Sequence, residues 1–254
     1  YYKTFMWPAR LWMTYERVIR KAAGLGTAPT ESDPDSYDKL NHHCDVLVVG
    51  AGPAGLSAAL SAAASGARVI IADEQQELGG SLLSSPAAST GEPCAAWLSE
   101  SCARLQSSGN VVVLPRSTVF GYYDHNFLAI LERRADHLEP GVATGARQRL
   151  HRVRARRVIL ATGAIERPLV FANNDVPGVM LASSVAAYVN RYAVAPGNEL
   201  VLFTANDGAY QCALDWHRAG RRVVAIVDVR TALDGPLPQA CREAGIDVIA
   251  GHAV

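Results

Sequence analysis

DVLVVGAGPAGLSAALSAAASGARVIIADE, residues 45–74, is the stretch that decides the fold. An apolar run, Val46 to Val49, meets Gly50-Ala51-Gly52-Pro53-Ala54-Gly55. An Ala/Ser/Leu-rich helical stretch follows, and a second apolar run, Val69 to Ala72, ends in Asp73 and Glu74. This is a βαβ pattern with a glycine fingerprint in its first turn and an acid at the tip of the second strand. Gly50 permits the tight turn, Gly52 lets backbone approach a pyrophosphate, and Gly55 lets the helix pack close to the sheet. The helix start, with Ala54 in its first turn, offers unpaired N–H groups and the positive end of its dipole to the phosphates.

A glycine-rich turn alone is weak evidence. Here the strand, the helix and an acid 23 residues after Gly50 agree, so the expected ligand is a dinucleotide. Asp73 or Glu74 is expected to accept the ribose hydroxyls, and an acid rather than an arginine favours NAD or FAD over NADP.

Composition sets the outer bounds. With 254 residues, 49% hydrophobic and 19% charged, the chain has the make-up of a soluble α/β protein of one large or two modest domains. Lys+Arg and Asp+Glu balance at 24 each, which leaves no net field directed at nucleic acid or an anionic membrane. No apolar stretch reaches the roughly 18–20 residues of a membrane helix. Cys44, Cys94, Cys102, Cys212 and Cys241 are an odd set without CxxC or zinc spacing, which points to a reduced, cytoplasmic setting, no metal site and no dithiol chemistry. The chain starts at Tyr1 and stops just after the apolar run Ile246 to Ala250, so both ends read as cuts through a longer protein.

Residues 1–43 read as an aromatic segment and a linker. Tyr1, Tyr2, Phe5, Trp7, Trp12 and Tyr15 are clustered ahead of and within a helix expected over 9–23, and Thr30 to Asp38 is acidic and broken by proline. The aromatics serve either to dock a partner or to pack on the chain's own βαβ domain. After the acid, Gln75 leads to Gly79-Gly80-Ser81, a loop suited to passing close to a dinucleotide, with the Ser81 hydroxyl as a donor. Cys94 to Ser107 reads as a helix with Trp97, Leu98, Cys102 and Leu105 on its apolar face.

Short strands follow at 111–114, 118–123, 127–133 and 148–153, with Asp124-His125-Asn126 as a hairpin turn. Main chain at Val119 is placed near the adenine. Residues 147–157 carry six arginines; their alternation reads as a strand with a wet face, Leu150 and Val153 pointing inward, rather than as a nucleic-acid patch. Val158 to Ala164 is a buried strand that ends in Ala-Thr-Gly, bringing Thr162 and Gly163 toward the first glycine turn.

A second βαβ pattern comprises a strand at 200–203, a helix at 208–219 and a strand at 223–227 ending in Asp228. Measured from Thr204, Asp228 is 24 residues on. The turn between, Thr204-Ala205-Asn206-Asp207-Gly208-Ala209, lacks the fingerprint glycines, and Asp207 would repel a phosphate. This copy is expected to fold like the first without holding a dinucleotide in the usual way. The fold class is therefore α/β: a Rossmann-like domain of glutathione-reductase type at 44–168, and a second, degenerate and incomplete Rossmann-like domain at 169–254.

The order of fingerprint, Gly-Gly, meander, Ala-Thr-Gly and second unit resembles the two-dinucleotide-binding-domain flavoprotein superfamily. YYKTFMWP, AAGLGTAP with DPDSYD, HCDVLVVGAGPAGL, ADEQQELGGSLL and ATGAIERPLVFANNDVPGVMLA narrow the resemblance to the alpha subunit of heterotetrameric sarcosine oxidase, over residues 1 to about 185. The TFMWP start and the DEQ–GGSLL run are the specific parts. The resemblance implies oxidative demethylation of sarcosine to glycine with peroxide formation by a complex with beta, gamma and delta subunits. It implies FAD and FMN elsewhere in that complex, a small amine substrate, and a non-covalent NAD in this fingerprint. Carried onto this chain, the NAD contacts fall on Gly50, Gly52, Ala54, Gly55, Asp73, Glu74, Gln75 and Ser81, with Gly80 in the adjoining Gly-Gly, Val119 near the adenine, and Thr162 and Gly163 closing the site.

No His–acid pair, activated thiol or metal cluster stands out, so no catalytic residue is assigned. Three alternatives are weighed. One is a self-contained reductase with FAD at Gly50–Gly55 and NAD(P)H in the second unit. Another is the alpha subunit of an opine or proline dehydrogenase holding FAD. The third is an interaction module in which the nucleotide only stabilises the fold.

Overall fold

Residues 45–74 form the βαβ unit that their pattern requires. In the computed structural model, which describes residues 7–26, 30–85 and 93–254, helix α1 (Trp12–Ala22) precedes β1 (Tyr37–Val49), α2 (Pro53–Ala64) and β2 (Val69–Ala72). Helix α3 (Pro93–Ser107) leads to β3 (Val111–Leu114), β4 (Ser117–Tyr123), β5 (Phe127–Arg133) and β6 (Gln148–Leu160). A second series follows: α4 (Ala182–Tyr192), β7 (Glu199–Thr204), α5 (Gly208–Arg218), β8 (Arg222–Asp228), α6 (Pro236–Glu243) and β9 (Val248–Ala250).

The first six strands make one mixed sheet in the order β3-β2-β1-β6-β5-β4. Strands β1, β2, β3 and β6 run parallel, and β4 and β5 continue from β6 as an antiparallel meander. The last three form a parallel sheet, β7-β8-β9. Successive side chains on a strand face opposite ways, and β1 divides its apolar residues accordingly. Val48 joins Val69 and Ile71 against Leu56 and Ala59 of α2 and Leu105 of α3. Leu47 and Val49 join Ile70 and Ala72 against Leu128, Ile130, Val153 and Ala155 of the meander. With helices on one face and the meander on the other, β2 and the last four residues of β1, Val46 to Val49, are wholly apolar, and each fully buried Leu or Ile contributes about 1.5–3 kcal/mol.

Several expectations are corrected. β1 starts at Tyr37, inside the stretch read as linker, because residues 37–44 pair with 148–155 of β6. The strands expected at 148–153 and 158–164 are one strand of 13 residues that ends at Leu160. Its buried side chains are His151, Val153 and Ala155. Leu150 lies three positions from Val153 and faces the other way, as the period of two demands. The helix expected at 9–23 begins as a 3-10 turn, Ala9–Leu11, and continues as α1.

None of α1's residues is buried, and Trp7, Trp12, Met13 and Val18 are exposed. Tyr1, Tyr2 and Phe5 of the aromatic cluster lie outside the described residues, as do most of the Ser84–Pro93 loop and the side chain of Cys94. Helices α4 and α6 were not anticipated. Among the described residues no helix is long and apolar enough to cross a membrane.

Candidate nucleotide site

The glycine turn is built by close backbone contacts. Gly50 has φ +96°, and a Cβ there would stand 2.3 Å from the Ala161 carbonyl oxygen. A Cβ on Gly55 would stand 1.9 Å from the Gly50 carbonyl oxygen, so α2 can rest on the strand end only without a side chain at that position. Gly52 differs: its backbone is ordinary (φ −73°) and a Cβ would meet nothing nearer than 4.0 Å. The space in front of it is open. Pro53 at the first helical position gives up an N–H that has no partner in the helix anyway.

The Gly-Gly loop closes on this turn from the other side. Gly79 N donates to the Ala51 carbonyl at 2.8 Å. Gly80, at φ +54°, lies so near Gly52 that a Cβ would fall 2.9 Å from the Gly52 Cα.

Asp73 is fixed from two sides. Its Oδ2 accepts from the Ala51 amide at 2.6 Å and its Oδ1 from the Gln75 amide at 2.8 Å. The three carbonyls that follow β2 are tied to the meander in turn. Ser117 N donates to Asp73 O at 2.7 Å, the Arg133 guanidinium to Glu74 O at 3.0 Å, and Arg116 N to Gln75 O at 2.9 Å. The acid loop is therefore held by the cradle on one side and by the start of β4 on the other.

Between them lies a cavity of about 620 Å³, within the range that holds a small molecule or cofactor. It is lined by Gly50, Gly52, Ala54, Asp73, Glu74, Gln75, Gly80, Ser81, Val119, Thr162 and Gly163. Eleven of the twelve expected residues are thus brought together. Gly55 is the exception, sitting behind the turn where it permits the helix–strand contact. Pro53, Ser117, Thr118, Ala161, Ala164 and Ile165 also line the cavity and were not singled out. Ser117 was legible in principle, since it shares a face of β4 with Val119.

Among the described residues none of the cysteine thiols is activated. Burial, with Asp45 nearby, pushes the Cys44 thiol up to about 11. Burial, with Asp215 and Glu166 adding to it, takes Cys212 to about 12. Cys241 rises to about 11 through burial alone, two arginines opposing it. Burial also raises Cys102. Cys44, Cys102, Cys212 and Cys241 are unpaired, so none of them is a thiolate near neutrality.

The second unit repeats the first with its cradle filled from within. β7 ends at Thr204 and α5 begins at Gly208, as β1 ends at Val49 and α2 begins at Pro53. This register sets Ala205, Asp207 and Tyr210 opposite Gly50, Gly52 and Gly55, one residue on from the alignment that starts at Thr204. Asp228 takes the place of Asp73 and accepts the Arg230 amide at 2.9 Å, as Asp73 accepts Gln75. Tyr210, fully buried, donates its hydroxyl to Asp228 Oδ2 at 2.9 Å. Arg230 bridges Asp228 Oδ2 at 2.7 Å and Asp207 Oδ1 at 2.8 Å. Asp207 is paired with Arg230, but that one guanidinium also binds Asp228, so the trio keeps a net negative charge where a phosphate would sit. Burial would raise the Asp228 carboxyl, but hydrogen bonds from Arg230 and Tyr210 outweigh it and hold the group below the usual carboxylate range.

This repeated αβ architecture has a counterpart in known sequences. The profile of the pyridine nucleotide-disulphide oxidoreductase family matches residues 44–254. The chain belongs to that family. It is homologous to sarcosine oxidase alpha subunits: it is 52% identical over 233 residues to the one from Rhizobium meliloti (strain 1021), covering 91% of this chain and 24% of that protein. It is 31% identical over 194 residues to an opine oxidase subunit from Agrobacterium tumefaciens (strain Ach5), covering 74% of this chain and 37% of that one. Among solved structures, L-proline dehydrogenase from P. horikoshii superposes with a TM-score of 0.60 at 25% identity, over 79% of this chain and 38% of that chain. The chain thus spans about a quarter of the length of the sarcosine oxidase alpha subunits that it matches.

Proposed function

We propose that this chain holds one dinucleotide, NAD, between Gly50–Gly55 and Asp73, as part of an amine-oxidising complex of the sarcosine oxidase type. The observation that carries the reading is the pinned acid. Asp73 is locked to the Ala51 and Gln75 amides at the mouth of a glycine cradle with open space before Gly52. Each carboxylate oxygen has capacity for a further hydrogen bond, which suits ribose hydroxyls. The cradle that Gly50 and Gly52 leave free of side chains fits a pyrophosphate. NAD, when bound, supplies hydride-transfer chemistry at its nicotinamide ring. The chain's own part is to bind and orient: turn amides and the α2 dipole on the phosphates, Asp73 and Glu74 on the ribose, Val119 toward the adenine, and Thr162 and Gly163 along the opposite wall.

In this reading residues 44–168, with the strand residues 37–43 that pair with β6, form the nucleotide-holding unit, 169–254 a supporting unit, and the residues before Tyr37 a segment available to other parts of the assembly. The substrate is a small amine, sarcosine in the first instance, demethylated to glycine with peroxide formation. That chemistry is carried by other subunits or regions with FAD and FMN, in a cytoplasmic complex of alpha, beta, gamma and delta chains. The second reading places FAD in the same cradle, as in an opine or proline dehydrogenase subunit or a pyridine-nucleotide oxidoreductase. The reductase form needs a working second cradle, and Tyr210, Arg230 and Asp207 fill that place. Releasing bound nucleotide by denaturation and identifying it by chromatography tests the choice. NAD is expected, and FAD without NAD would overturn the assignment.

A further inference from the structure

The sheet contains a buried chain of titratable groups that the nucleotide reading does not use. His42 Nε2 on β1 lies 2.9 Å from His151 Nδ1 on β6, and His151 Nε2 lies 2.9 Å from Glu132 Oε2 on β5. His151 is 2% exposed and His42 is half-buried. The charged groups around them are Asp38 on β1, Arg149 on β6 and Arg134 just past β5. Arg149 binds Asp38 at 2.9 Å and reaches Glu132 at 3.8 Å, and Arg134 reaches the other oxygen of Glu132 at 3.7 Å. Val153 stands across the ladder from His42, and Ile130 across from His151.

The hydrogen-bond chain assigns the protons. An ionised Glu132 accepts from His151 Nε2–H, so His151 Nδ1 is an acceptor and His42 Nε2–H donates to it. One added proton is accommodated without movement, on the free Nδ1 of His42. A second would set N–H against N–H at 2.9 Å between two cations, and the contact must open. The folded pair therefore holds at most one extra proton, whereas an unfolded chain holds two.

Glu132 also stands directly across the ladder from Ser117. Ser117 lines the cavity and donates its amide to Asp73 O. We infer that His42, His151 and Glu132 form a proton-operated latch that keeps the meander closed on the acid loop and releases it on acidification, loosening the nucleotide site. The part concerning nucleotide rests on the function proposed above; the latch itself does not.

The direction of the effect follows from linkage. Burial, then the neighbouring His151 and Arg149, lower the His42 pKa from its ordinary 6.5. Stability from a group whose folded pKa is depressed is full above the unfolded value and is lost as pH falls through it. One proton bound only by the unfolded state costs a factor of about ten in the folded-to-unfolded ratio per pH unit. The window therefore opens at pH 6.5 and extends downward.

His42→Gln separates the latch from a merely structural contact, because the amide donates to a neutral His151 Nδ1 and, turned over, accepts from a protonated one, so the folded variant can take up the same proton as its unfolded chain. Denaturant melts of nucleotide-free protein from about pH 7.5 to about pH 5 should show the roughly tenfold-per-unit loss in the wild type and a flattened profile in His42→Gln. Equal slopes in the two proteins would overturn the latch. If His42→Gln does not fold, an NMR titration of the wild-type imidazoles decides the same point: a single proton taken up by the pair down to about pH 5 supports the latch, and both rings protonated near the ordinary histidine value overturn it. A second arm measures NAD+ affinity at about pH 7.5 and about pH 5.5, on either side of the ordinary histidine value. Weakening at the lower pH in the wild type but not in His42→Gln supports the coupling, and equal weakening in both overturns it. Failure of NAD+ to bind at either pH overturns the regulatory claim together with the nucleotide reading, while the melts still decide the latch.

Discussion

The Asp73 carboxylate and the Ala51 amide are 2.6 Å apart, which joins the end of β2 to the glycine turn that follows β1. Ala51 is fully buried, so its N–H has no water to turn to. An acid that is free to rotate would lose side-chain entropy on meeting a ribose; this one is already held in place. The same contact serves folding and binding.

Asp73→Ala should therefore lower stability even without ligand. It leaves the Ala51 amide unpaired and removes a charge-assisted acceptor, a loss of about 1–3 kcal/mol. Thermal melts of the nucleotide-free protein check this. An unchanged melting temperature would show that the contact does not hold the turn.

The two glycines of the turn should separate fold from function. Gly55→Ala places a Cβ 1.9 Å from the Gly50 carbonyl oxygen, so α2 must shift, at a cost of about 1–3 kcal/mol or more. Gly52→Ala has 4.0 Å of room and an unstrained backbone. It should melt within about 0.5 kcal/mol of the wild type yet lose nucleotide, because its methyl takes up part of the open space beside Gly52 and Gly80, which both line the cavity. Melting curves paired with nucleotide content after purification make the comparison.

Arg230→Met should destabilise the second unit strongly. Asp228, fully buried, would lose the cation that it is paired with, and breaking a buried pair from one side costs about 3–5 kcal/mol. The pH dependence has a definite sign. The folded Asp228 pKa lies below its ordinary 3.8, so its contribution is present above 3.8 and is lost as pH falls through the folded value. Wild type and variant should therefore differ most at neutral pH and converge below about pH 4 in urea melts.

The sequence made the first unit legible because its constraints are local. Gly50, Gly52 and Gly55 fall within six residues of one turn, and the acid follows at a fixed spacing, so residue type alone marks the place. Val119 and Thr162 were within reach because strand order brings their strand ends back to that turn. Leu150 was misplaced because an arginine-rich alternation shows which residues are wet without fixing which parity is buried; pairing with β5 decided that. The His42–His151–Glu132 chain was invisible, since its members lie on three strands separated by up to 109 positions. Arg230 was missed because an arginine after an acid reads as a surface pair. Only the register that puts Tyr210 at the third glycine position shows that the guanidinium lies across the cradle. Helix α4 was missed because its start depends on a distant group: Glu166 accepts the Ser183 amide at 2.8 Å. Helix α6 has a local start signal in Pro236, but its eight residues are too few for a helical period to stand out.

Calorimetric titration of NAD+ into nucleotide-free protein, wild type beside Gly52→Ala, tests the central claim most directly. The account predicts one site per chain in the wild type and none in Gly52→Ala at unchanged fold. Two sites per chain, no site in the wild type, or binding indifferent to Gly52→Ala would contradict it.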